Sequence, residues 1–449
     1  MTLASLLDGD PDDVAVILDG VGTTRASLQA RADEVRANIP SGHAIGVCLP
    51  NGPEVIATWF GIWQAGAAVV PLNPRAPQPE REAAYTATGA SAVIDGDGFR
   101  ALEGGRATDA ALIQFTSGTT GRPKAVPLEH ATIDALLDSV IGSIRGARTA
   151  RAQMPNIVPL SLSLWAGIYQ VLFAFKLGVG VVLMHSFDAE EFARLVRQYE
   201  IRSSVLPPAA LVMLLADPKI DTLEPLRYVR SVSAPLSPAH ARKFRDRFGI
   251  AILNGYGQTE LGGEAIGWSA DDWKRFGDEK LGAVGRPHDA FSVRIASGEE
   301  VGELEIKSSQ SLPPADAAMD GRVTDDGWLR TGDLARIDDD GFVWIEGRVS
   351  DMINRGGLKV FPDDVEEQLR AYPDVHDAAV VGVPDDRLGE VPWAFVIPAR
   401  TEIDLDALRD WCRTQMVAYK IPAGFAVVDA FPRNELGKVL RRELADRVE

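Results

Sequence analysis

Alternation of short apolar runs with helical segments is the feature that most constrains how this chain can fold. The apolar runs have the length and composition of buried strands, and segments with helical spacing, such as residues 25–39 and 52–65, lie between them. The strand-like runs are residues 15–18, 44–49, 67–72, 179–184, 202–206 and 227–232. Alternation of this kind is typical of layered α/β structure with largely parallel sheets.

The pattern changes after residue 291. Short runs with alternating hydrophobicity, separated by turns, then indicate antiparallel strands, and the last hundred or so residues mix helical and strand-like segments. A chain of 449 residues is also too long for one core. We therefore predict a large N-terminal domain, residues 1–347, of layered α/β sheets plus a distorted antiparallel β subdomain. A small, mobile α+β C-terminal domain, residues 348–449, is expected to follow.

Composition excludes several functional classes. Hydrophobic residues make up 46% and charged residues 24% of the chain, as in soluble globular proteins, and no run of 18 apolar residues predicts a membrane span. The first residues lack the basic start of a signal peptide. The two cysteines, Cys48 and Cys412, form no disulfide framework and suit a reducing cytoplasm. A net charge of −18 argues against nucleic-acid binding.

Residues 115–124, Phe-Thr-Ser-Gly-Thr-Thr-Gly-Arg-Pro-Lys, follow a strand-like run and are rich in hydroxyls and glycines. Glycines let the backbone approach a ligand closely, and hydroxyl and N–H groups donate hydrogen bonds to phosphate. The segment is therefore a candidate cradle for a polyphosphate, with an ordinary loop as the alternative. The spacing of Gly118 and Gly121 and the Pro123 before Lys124 do not fit the common P-loop, which a helix follows.

Three further segments carry candidate ligand-binding groups. In residues 253–260 the aromatic Tyr256 can stack on a base, Thr259 can bind phosphate and Glu260 can bind Mg²⁺, although a polar turn has the same composition. Residues 328–333 are predicted to place Asp333 on a turn after a strand, where it either accepts ribose hydroxyls or caps the turn. Lys438, on a glycine turn, is either functional or a solvated charge.

Two other segments are assigned a structural role when their residues are considered alone. Residues 347–366 combine an arginine, a Gly-Gly turn and a helix beginning near Pro362. The acidic run at residues 338–341 does not fit a calcium-binding loop, because Arg336 occupies the position of the first acidic ligand. We predict a β-turn between two strands there.

Taken in order, these segments resemble those of the adenylate-forming superfamily of acyl- and aryl-CoA synthetases, carrier-protein adenylation domains and luciferases, and in style they are closest to acyl-CoA synthetases. The resemblance covers about residues 44–444, with a shortened stretch between residues 74 and 110. It implies that a carboxylate attacks the α-phosphate of ATP to give acyl-AMP and pyrophosphate. The C-terminal domain then rotates near Ser350, and a thiol displaces AMP. The implied cofactors are ATP, Mg²⁺ and either CoA or the phosphopantetheine of a carrier protein.

The resemblance also implies roles for individual residues. The phosphate cradle would consist of Thr116, Ser117, Gly118, Thr119, Thr120, Gly121 and Lys124. Further nucleotide contacts would come from Ser233, Ala234, Pro235, Asn254, Gly255, Tyr256, Gly257, Asp333 and Arg348. Tyr256 would stack on adenine, Asp333 and Arg348 would hold the ribose, and Glu260 and Thr120 would bind Mg²⁺. Lys438, Glu260 and Thr259 would be catalytic. Lys438 would bridge the substrate carboxylate and the ribose–phosphate oxygens, and Gly356 and Gly357 would line the thiol tunnel.

Two departures from the family pattern concern the acyl pocket and the hinge. Related CoA synthetases often carry Pro-Leu-Phe-His at the pocket, whereas residues 159–162 are Pro-Leu-Ser-Leu, so the gating histidine is missing. The hinge residue, usually Asp or Lys, is Ser350. The missing histidine bears on the orientation of the substrate carboxylate and on the access of the thiol. Ser350 bears on the energetics of domain rotation.

The pocket segment also bears on the substrate. Residues 154–170 contain no acidic residue that could pair with an ammonium group, which disfavours an α-amino acid. A mainly apolar pocket is expected, lined by Trp165, Tyr169, Val205, Leu206 and Ala234. We predict that the chain, as a monomer or homodimer, makes acyl- or aryl-CoA from an apolar carboxylic acid. One alternative is loading of a separate carrier protein or an atypical acceptor, and another is a non-catalytic scaffold, which the retained charged residues disfavour.

Overall fold

The computed structural model describes residues 2–116, 124–144, 154–296, 298–309, 321–400, 402–433 and 437–448. Within them the α-helices are α1 (Arg25–Arg36), α2 (Pro53–Gln64), α3 (Gln78–Thr88), α4 (His130–Ile144), α5 (Trp165–Lys176), α6 (Ala189–Gln198), α7 (Pro208–Ala216), α8 (Pro238–Phe248), α9 (Ala270–Phe276), α10 (Pro362–Arg370), α11 (Leu405–Gln415) and α12 (Arg441–Ala445). Local sequence explains several starts. Thr24 and Asp188 accept hydrogen bonds from the first turns of α1 and α6, and Pro53 and Pro362 occupy first-turn positions of α2 and α10.

The strands, in chain order, are β1 (Val14–Leu18), β2 (Val21–Thr24), β3 (Ala44–Cys48), β4 (Ala68–Pro71), β5 (Ala90–Asp95), β6 (Gly98–Ala101), β7 (Leu112–Thr116), β8 (Lys124–Leu128), β9 (Asn156–Val158), β10 (Val181–Leu183), β11 (Ser203–Leu206), β12 (Tyr228–Ser231), β13 (Ala251–Gln258), β14 (Gly263–Gly267), β15 (Arg286–Pro287), β16 (Phe291–Ile295), β17 (Gly302–Ser308), β18 (Leu329–Ile337), β19 (Val343–Arg348), β20 (Ile353–Arg355), β21 (Leu358–Val360), β22 (Val375–Asp385), β23 (Gly389–Pro398) and β24 (Gly424–Val427).

Three sheets, each with at least three neighbouring parallel strands, confirm the predicted layered α/β region. Their strand orders are β6-β5-β3-β4-β7-β8, β2-β1-β10-β9 and β11-β12-β13-β14-β15. Helices α1, α2 and α5 share one core with the first two sheets, and α6, α7 and α8 share another with the second and third. Helices therefore fill the spaces between sheets, as expected where each parallel sheet must be covered on both faces.

The antiparallel and α+β parts are also as predicted. Strands β16, β17, β18 and β19 form an antiparallel sheet, and Gly341 N–H donates to the Asp338 carbonyl in a turn before β19. The chain then forms a separate sheet of order β21-β20-β23-β22, to which β24 adds parallel to β23. This last sheet packs with α10 and α11 around its own core.

The stretch between residues 74 and 110 is more structured than its sequence suggests. It contains α3, β5 and β6, so the shortened segment still supplies an edge of the first sheet. In the described part of the chain no helix is long and apolar enough to cross a membrane.

Candidate active site

Two predicted nucleotide-binding segments meet at one edge of the third sheet. Strands β11, β12 and β13 run parallel, with Ser231 at the end of β12 in register with Asn254. Residues 233–235 follow β12, and Ser233 has a φ of +77°, which residues other than glycine rarely adopt. In open α/β sheets, ligands bind in the crevice outside the carboxyl ends of the strands. Residues 233–235 and 254–257 therefore lie where such a fold binds ligands.

The carboxylate of Asp333 is the centre of a buried polar cluster. Its Oδ2 accepts hydrogen bonds from the Tyr256 hydroxyl at 2.5 Å and from Gln258 Nε2 at 3.0 Å, and its Oδ1 lies 3.0 Å from Arg348 Nε. Burial, and then the negative charge of Asp333, raise the pKa of Tyr256 well above its usual value. Tyr256 is therefore neutral and donates to Asp333, which leaves an oriented carboxylate beside a guanidinium.

The prediction that Asp333 lies on a turn is wrong. Strand β18 continues to Ile337, and Asp333 is paired in register with Arg348 on β19. Gly332, with a φ of +76°, lies in a β-bulge of β18, because Glu303 pairs with Leu334 and Glu305 with Arg330. The sequence analysis also missed Gln258. Its spacing of two from Tyr256 on a strand, which puts both side chains on one face, was the available signal.

Glu260, the predicted Mg²⁺ ligand, lies in a 3₁₀ turn, Thr259–Leu261, directly after β13. Its side chain is buried, and Oε1 accepts a hydrogen bond from an Arg322 guanidinium nitrogen at 2.6 Å. A single carboxylate fits Mg²⁺, which is commonly held by one or two carboxylates together with substrate phosphates. Among the described residues, no group of three or more acidic, histidine or cysteine side chains forms a protein-only metal cage.

Lys438 lies close to the Asp333 cluster, although about a hundred residues separate them in sequence. Burial, and then the positive charge of Arg348, lower the pKa of Lys438 below its usual 10.5, while Asp351 and Asp333 oppose the change. The preceding Gly437 faces Ala209 of α7, where an added Cβ would lie 2.8 Å from the alanine Cβ. Asp333 and Arg348, which form an ion pair, are therefore both near enough to Lys438 to act on its charge.

Helix α10 contacts helix α8 through one carboxylate. Glu367 Oε2 accepts a hydrogen bond from the Ser237 hydroxyl at 2.7 Å, and Oε1 accepts one from the Ala239 N–H at 3.0 Å. Both donors lie at the N-terminus of α8, where unpaired N–H groups and the helix dipole favour a negative charge. Sequence analysis missed this residue, because a glutamate on an exposed-looking helical turn carries no distinguishing signal.

The segment before α5, predicted to border the acyl pocket, is held by Asn51. Asn51 Nδ2 donates to the Leu160 and Met184 carbonyls, and its Oδ1 accepts from Leu162 N–H at 2.8 Å. Trp165 Nε1 donates to the Gly262 carbonyl at 3.0 Å, which joins α5 to the chain just after Glu260.

The prediction that Val205 and Leu206 both line the acyl pocket is wrong for Leu206. This side chain is fully buried in the core that contains α6, α7 and α8. Neighbouring residues of a strand point to opposite faces, so Val205 and Leu206 cannot line one surface.

Of the predicted phosphate cradle, the structure describes only the two ends. Strands β7 and β8 are antiparallel, with Thr116 in register with Lys124. A strand thus follows the segment where a P-loop would be followed by a helix. The remaining predicted residues, Ser117, Gly118, Thr119, Thr120 and Gly121, lie outside the described residues, as do the side chains of Thr116, Lys124 and Thr259.

Two turns near the expected hinge contain the remaining predicted residues. Ser350 lies in a 3₁₀ turn, Val349–Asp351, between β19 and β20, and its hydroxyl donates to Asp351 Oδ1 at 2.9 Å. Gly356 and Gly357 connect β20 to β21 with φ values of +60° and +89°. Both angles lie in the left-handed region, which explains why this turn uses two glycines.

Comparison with known proteins identifies the family. The AMP-binding enzyme family matches residues 5–105 and 98–313, and the AMP-binding enzyme C-terminal domain matches residues 364–438. A feruloyl-CoA synthase from Amycolatopsis sp is 33% identical, over 97% of this chain and 96% of its own length. A fatty acid–[acyl-carrier-protein] ligase, ScoC, from Streptomyces coeruleorubidus is 26% identical, over 98% of this chain and 94% of its own length.

A solved structure of o-succinylbenzoate CoA synthetase (MenE) from Bacillus subtilis, in complex with its acyl-adenylate, has a TM-score of 0.86 and 25% identity, covering 100% of this chain and 98% of that chain. The same enzyme has been solved with ATP and a magnesium ion. The chain therefore belongs to the AMP-binding, or adenylate-forming, family of enzymes. Within that family it is an AMP-forming acid–thiol ligase, which uses ATP to convert a carboxylic acid to an acyl-adenylate.

Proposed function

We propose that this enzyme converts a carboxylic acid with a mainly apolar body into its CoA thioester. The observation that carries the proposal is the buried carboxylate of Asp333, held by Arg348 and by Tyr256, which lies a short way from Glu260 in the chain. The charges of Asp333 and Arg348 also act on the pKa of Lys438. Aromatic Trp165 and Tyr169 on α5, with ring centroids 5.7 Å apart, support a mainly apolar acyl site next to them.

The proposed roles follow from the chemistry of the first half-reaction. A carboxylate oxygen of the acid bonds to the α-phosphorus of ATP, and pyrophosphate leaves. Asp333 would accept the ribose hydroxyls, and Arg348 would hold Asp333 and the ribose in place. Lys438, when protonated, would stabilise the negative charge that develops between the acid and the α-phosphate. Glu260 would hold Mg²⁺, which when bound neutralises charge on the phosphates.

We further propose that the chain has two domains, residues 1–347 and 348–449, that rotate about Ser350 between the half-reactions. Support comes from the end of β19 at Arg348 and the start of a separate sheet at β20, with the short turn between them. In the second half-reaction a thiol sulfur would bond to the acyl carbon and AMP would leave. Gly356 and Gly357 are proposed to line the path of the thiol.

The second candidate is transfer to the phosphopantetheine of a carrier protein. The lack of histidine in residues 159–162 favours it, and the 26% identical relative described above is named as a carrier-protein ligase. ATP–pyrophosphate exchange over a panel of acids tests the first half-reaction. Exchange without consumption of CoA, but with acylation of a carrier protein, would replace the CoA proposal by the second candidate. No exchange with any acid would contradict both.

A further inference from the structure

The turn that carries Lys438 is held by an arginine from inside the turn itself. Arg433 and Val439 pair in an antiparallel bridge, and the chain between them is called the lysine turn below. Arg433 Nη1 donates a hydrogen bond to the Gly437 carbonyl at 2.7 Å. That carbonyl belongs to the planar peptide that leads into Lys438, so the bond fixes the direction in which the lysine side chain starts.

The second arm of the same guanidinium connects the lysine turn to α10. Arg433 Nη2 lies 2.8 Å from Asp377 Oδ2, and the other oxygen of Asp377 lies 2.8 Å from Arg370 Nε. Arg370 Nη2 lies in turn 2.9 Å from Glu366 Oε2. The side chains of Asp377, Arg370 and Glu366 are only 11%, 15% and 6% exposed. Separating buried charges from their partners is costly, so these groups hold one another in fixed positions.

Arg441 connects the other end of the lysine turn to the same helix. It begins α12, and its Nη2 donates to Glu366 Oε1 at 2.7 Å and also pairs with Asp363. Its Nη1 lies 3.3 Å from Asp351 Oδ2, and the other oxygen of Asp351 accepts from the Ser350 hydroxyl. Groups of opposite charge therefore alternate from one end of the lysine turn, through α10, to its other end and on to the proposed hinge.

We infer that Arg433 is a positioning residue for adenylate formation, which sets the lysine turn, and with it the Lys438 ammonium, in the place that the reaction requires. This inference rests on the proposed function, which gives Lys438 its role. The four-carbon stem of a lysine is flexible, so its charge has a defined position only when the backbone beneath it is fixed. A displacement of about 1 Å at a reacting centre can cost about 100-fold in rate.

Among the charged groups of this series, Arg433 is the one whose removal disturbs the lysine turn and spares the core. Its side chain is 37% exposed, whereas its partner Asp377 is buried. Without Arg433, Asp377 stays paired with Arg370 and still accepts from the Ala378 N–H at 2.8 Å. Arg433→Ala should therefore fold, while the hydrogen bond to the Gly437 carbonyl is lost.

The test measures the two half-reactions separately, as pyrophosphate release in a single turnover and as thioester formation from a synthetic acyl-adenylate. Arg433→Ala should slow adenylation by about 10- to 100-fold and leave transfer unchanged. Arg433→Lys should lose less, because it keeps the charge but not the two-armed fork. The matched control is Arg413→Ala, which removes an exposed arginine paired with Asp410 on α11 and should leave both rates unchanged.

A double variant distinguishes positioning from a merely structural role. If Arg433 acts through the lysine, adding Arg433→Ala to Lys438→Ala should cause no further loss of adenylation, because no ammonium is left to position. The adenylation rate of the double variant should therefore equal that of Lys438→Ala. Thermal melting of each variant checks that the fold is kept.

Three results would overturn the inference: an unchanged adenylation rate in Arg433→Ala, equal losses in both half-reactions, or the same fold loss with and without Lys438. If Lys438→Ala is slow in adenylation in these cases, the proposed role of Lys438 stands and only that of Arg433 is removed. Adenylation at the wild-type rate in Lys438→Ala would contradict the proposed role of the lysine and this inference together.

Discussion

Glu367 is expected to hold the molecule in the arrangement that forms the adenylate. Its carboxylate connects α10 to the N-terminus of α8 through two hydrogen bonds, of 2.7 Å to the Ser237 hydroxyl and 3.0 Å to the Ala239 N–H. Because Ser350 separates these helices in sequence, the proposed rotation would break both bonds. In the same arrangement the charges of Arg348 and Asp333 act on the pKa of Lys438.

The magnitude follows from the nature of these two bonds. Hydrogen bonds to a charged group contribute about 1.5–3 kcal/mol when well buried, and partial exposure of Glu367 reduces this by solvent screening. We therefore expect Glu367→Ala to weaken the contact by about 1–3 kcal/mol, which is about 5- to 150-fold in the equilibrium between the two arrangements. Glu367→Gln should have a smaller effect, because the amide keeps one oxygen but loses the charge.

The assay separates the two half-reactions. Pyrophosphate release in a single turnover reports adenylation, and thioester formation from a synthetic acyl-adenylate reports transfer. Glu367→Ala should slow adenylation within that 5- to 150-fold range and leave transfer unchanged or faster, because transfer uses the other arrangement. Glu402→Gln, on an exposed segment of the same C-terminal part, is the control. Equal losses in both steps, or no loss of adenylation in a variant of normal thermal stability, would refute the reasoning.

Substitutions at three other residues test the site and the contact between the two parts. Lys438→Ala should slow adenylation by about 10²–10³-fold and spare transfer from preformed adenylate. Because burial lowers the pKa of Lys438, this lysine loses its charge at a lower pH than an exposed lysine does. As the pH is raised, the rate of adenylation should therefore begin to fall earlier than it would with an exposed lysine, and Lys438→Arg should remove this alkaline loss. Ser350→Pro should impair thioester formation more than adenylation, because proline fixes φ at the proposed hinge; equal rates would place the hinge elsewhere. Burial, and then the positive charge of Arg370, lower the pKa of His240 from 6.5 to about 4; Lys243 and His376 add smaller effects and Asp377 opposes them. The neutral imidazole therefore contributes its full share to the free energy of unfolding above pH 6.5, and about 3 kcal/mol of it should be lost as the pH falls towards 4. Thermal melting of His240→Gln should lack this part of the pH dependence, and an unchanged profile would contradict the assignment.

Prediction from sequence worked best where the signal was local. The apolar runs at residues 44–49 and 67–72 became β3 and β4, and Pro362 does begin a helix. The Gly356-Gly357 turn was found because two residues with positive φ demand glycine. The same local reasoning failed at Asp333, where Thr-Gly-Asp indicated a turn, because the glycine forms a bulge in β18 and the strand continues with Asp333 paired to Arg348.

The sequence by itself determined the fold class, because strand and helix periodicity are properties of neighbouring residues. It also supplied the candidate residues of the nucleotide site, through short motifs that resemble those of a known family. Only the tertiary structure decided which of them meet. It joined Tyr256 to Asp333, paired Asp333 with Arg348, and joined Glu367 to a helix 130 residues earlier in the chain. Such contacts depend on how sheets and helices pack over long separations, and no local pattern encodes them.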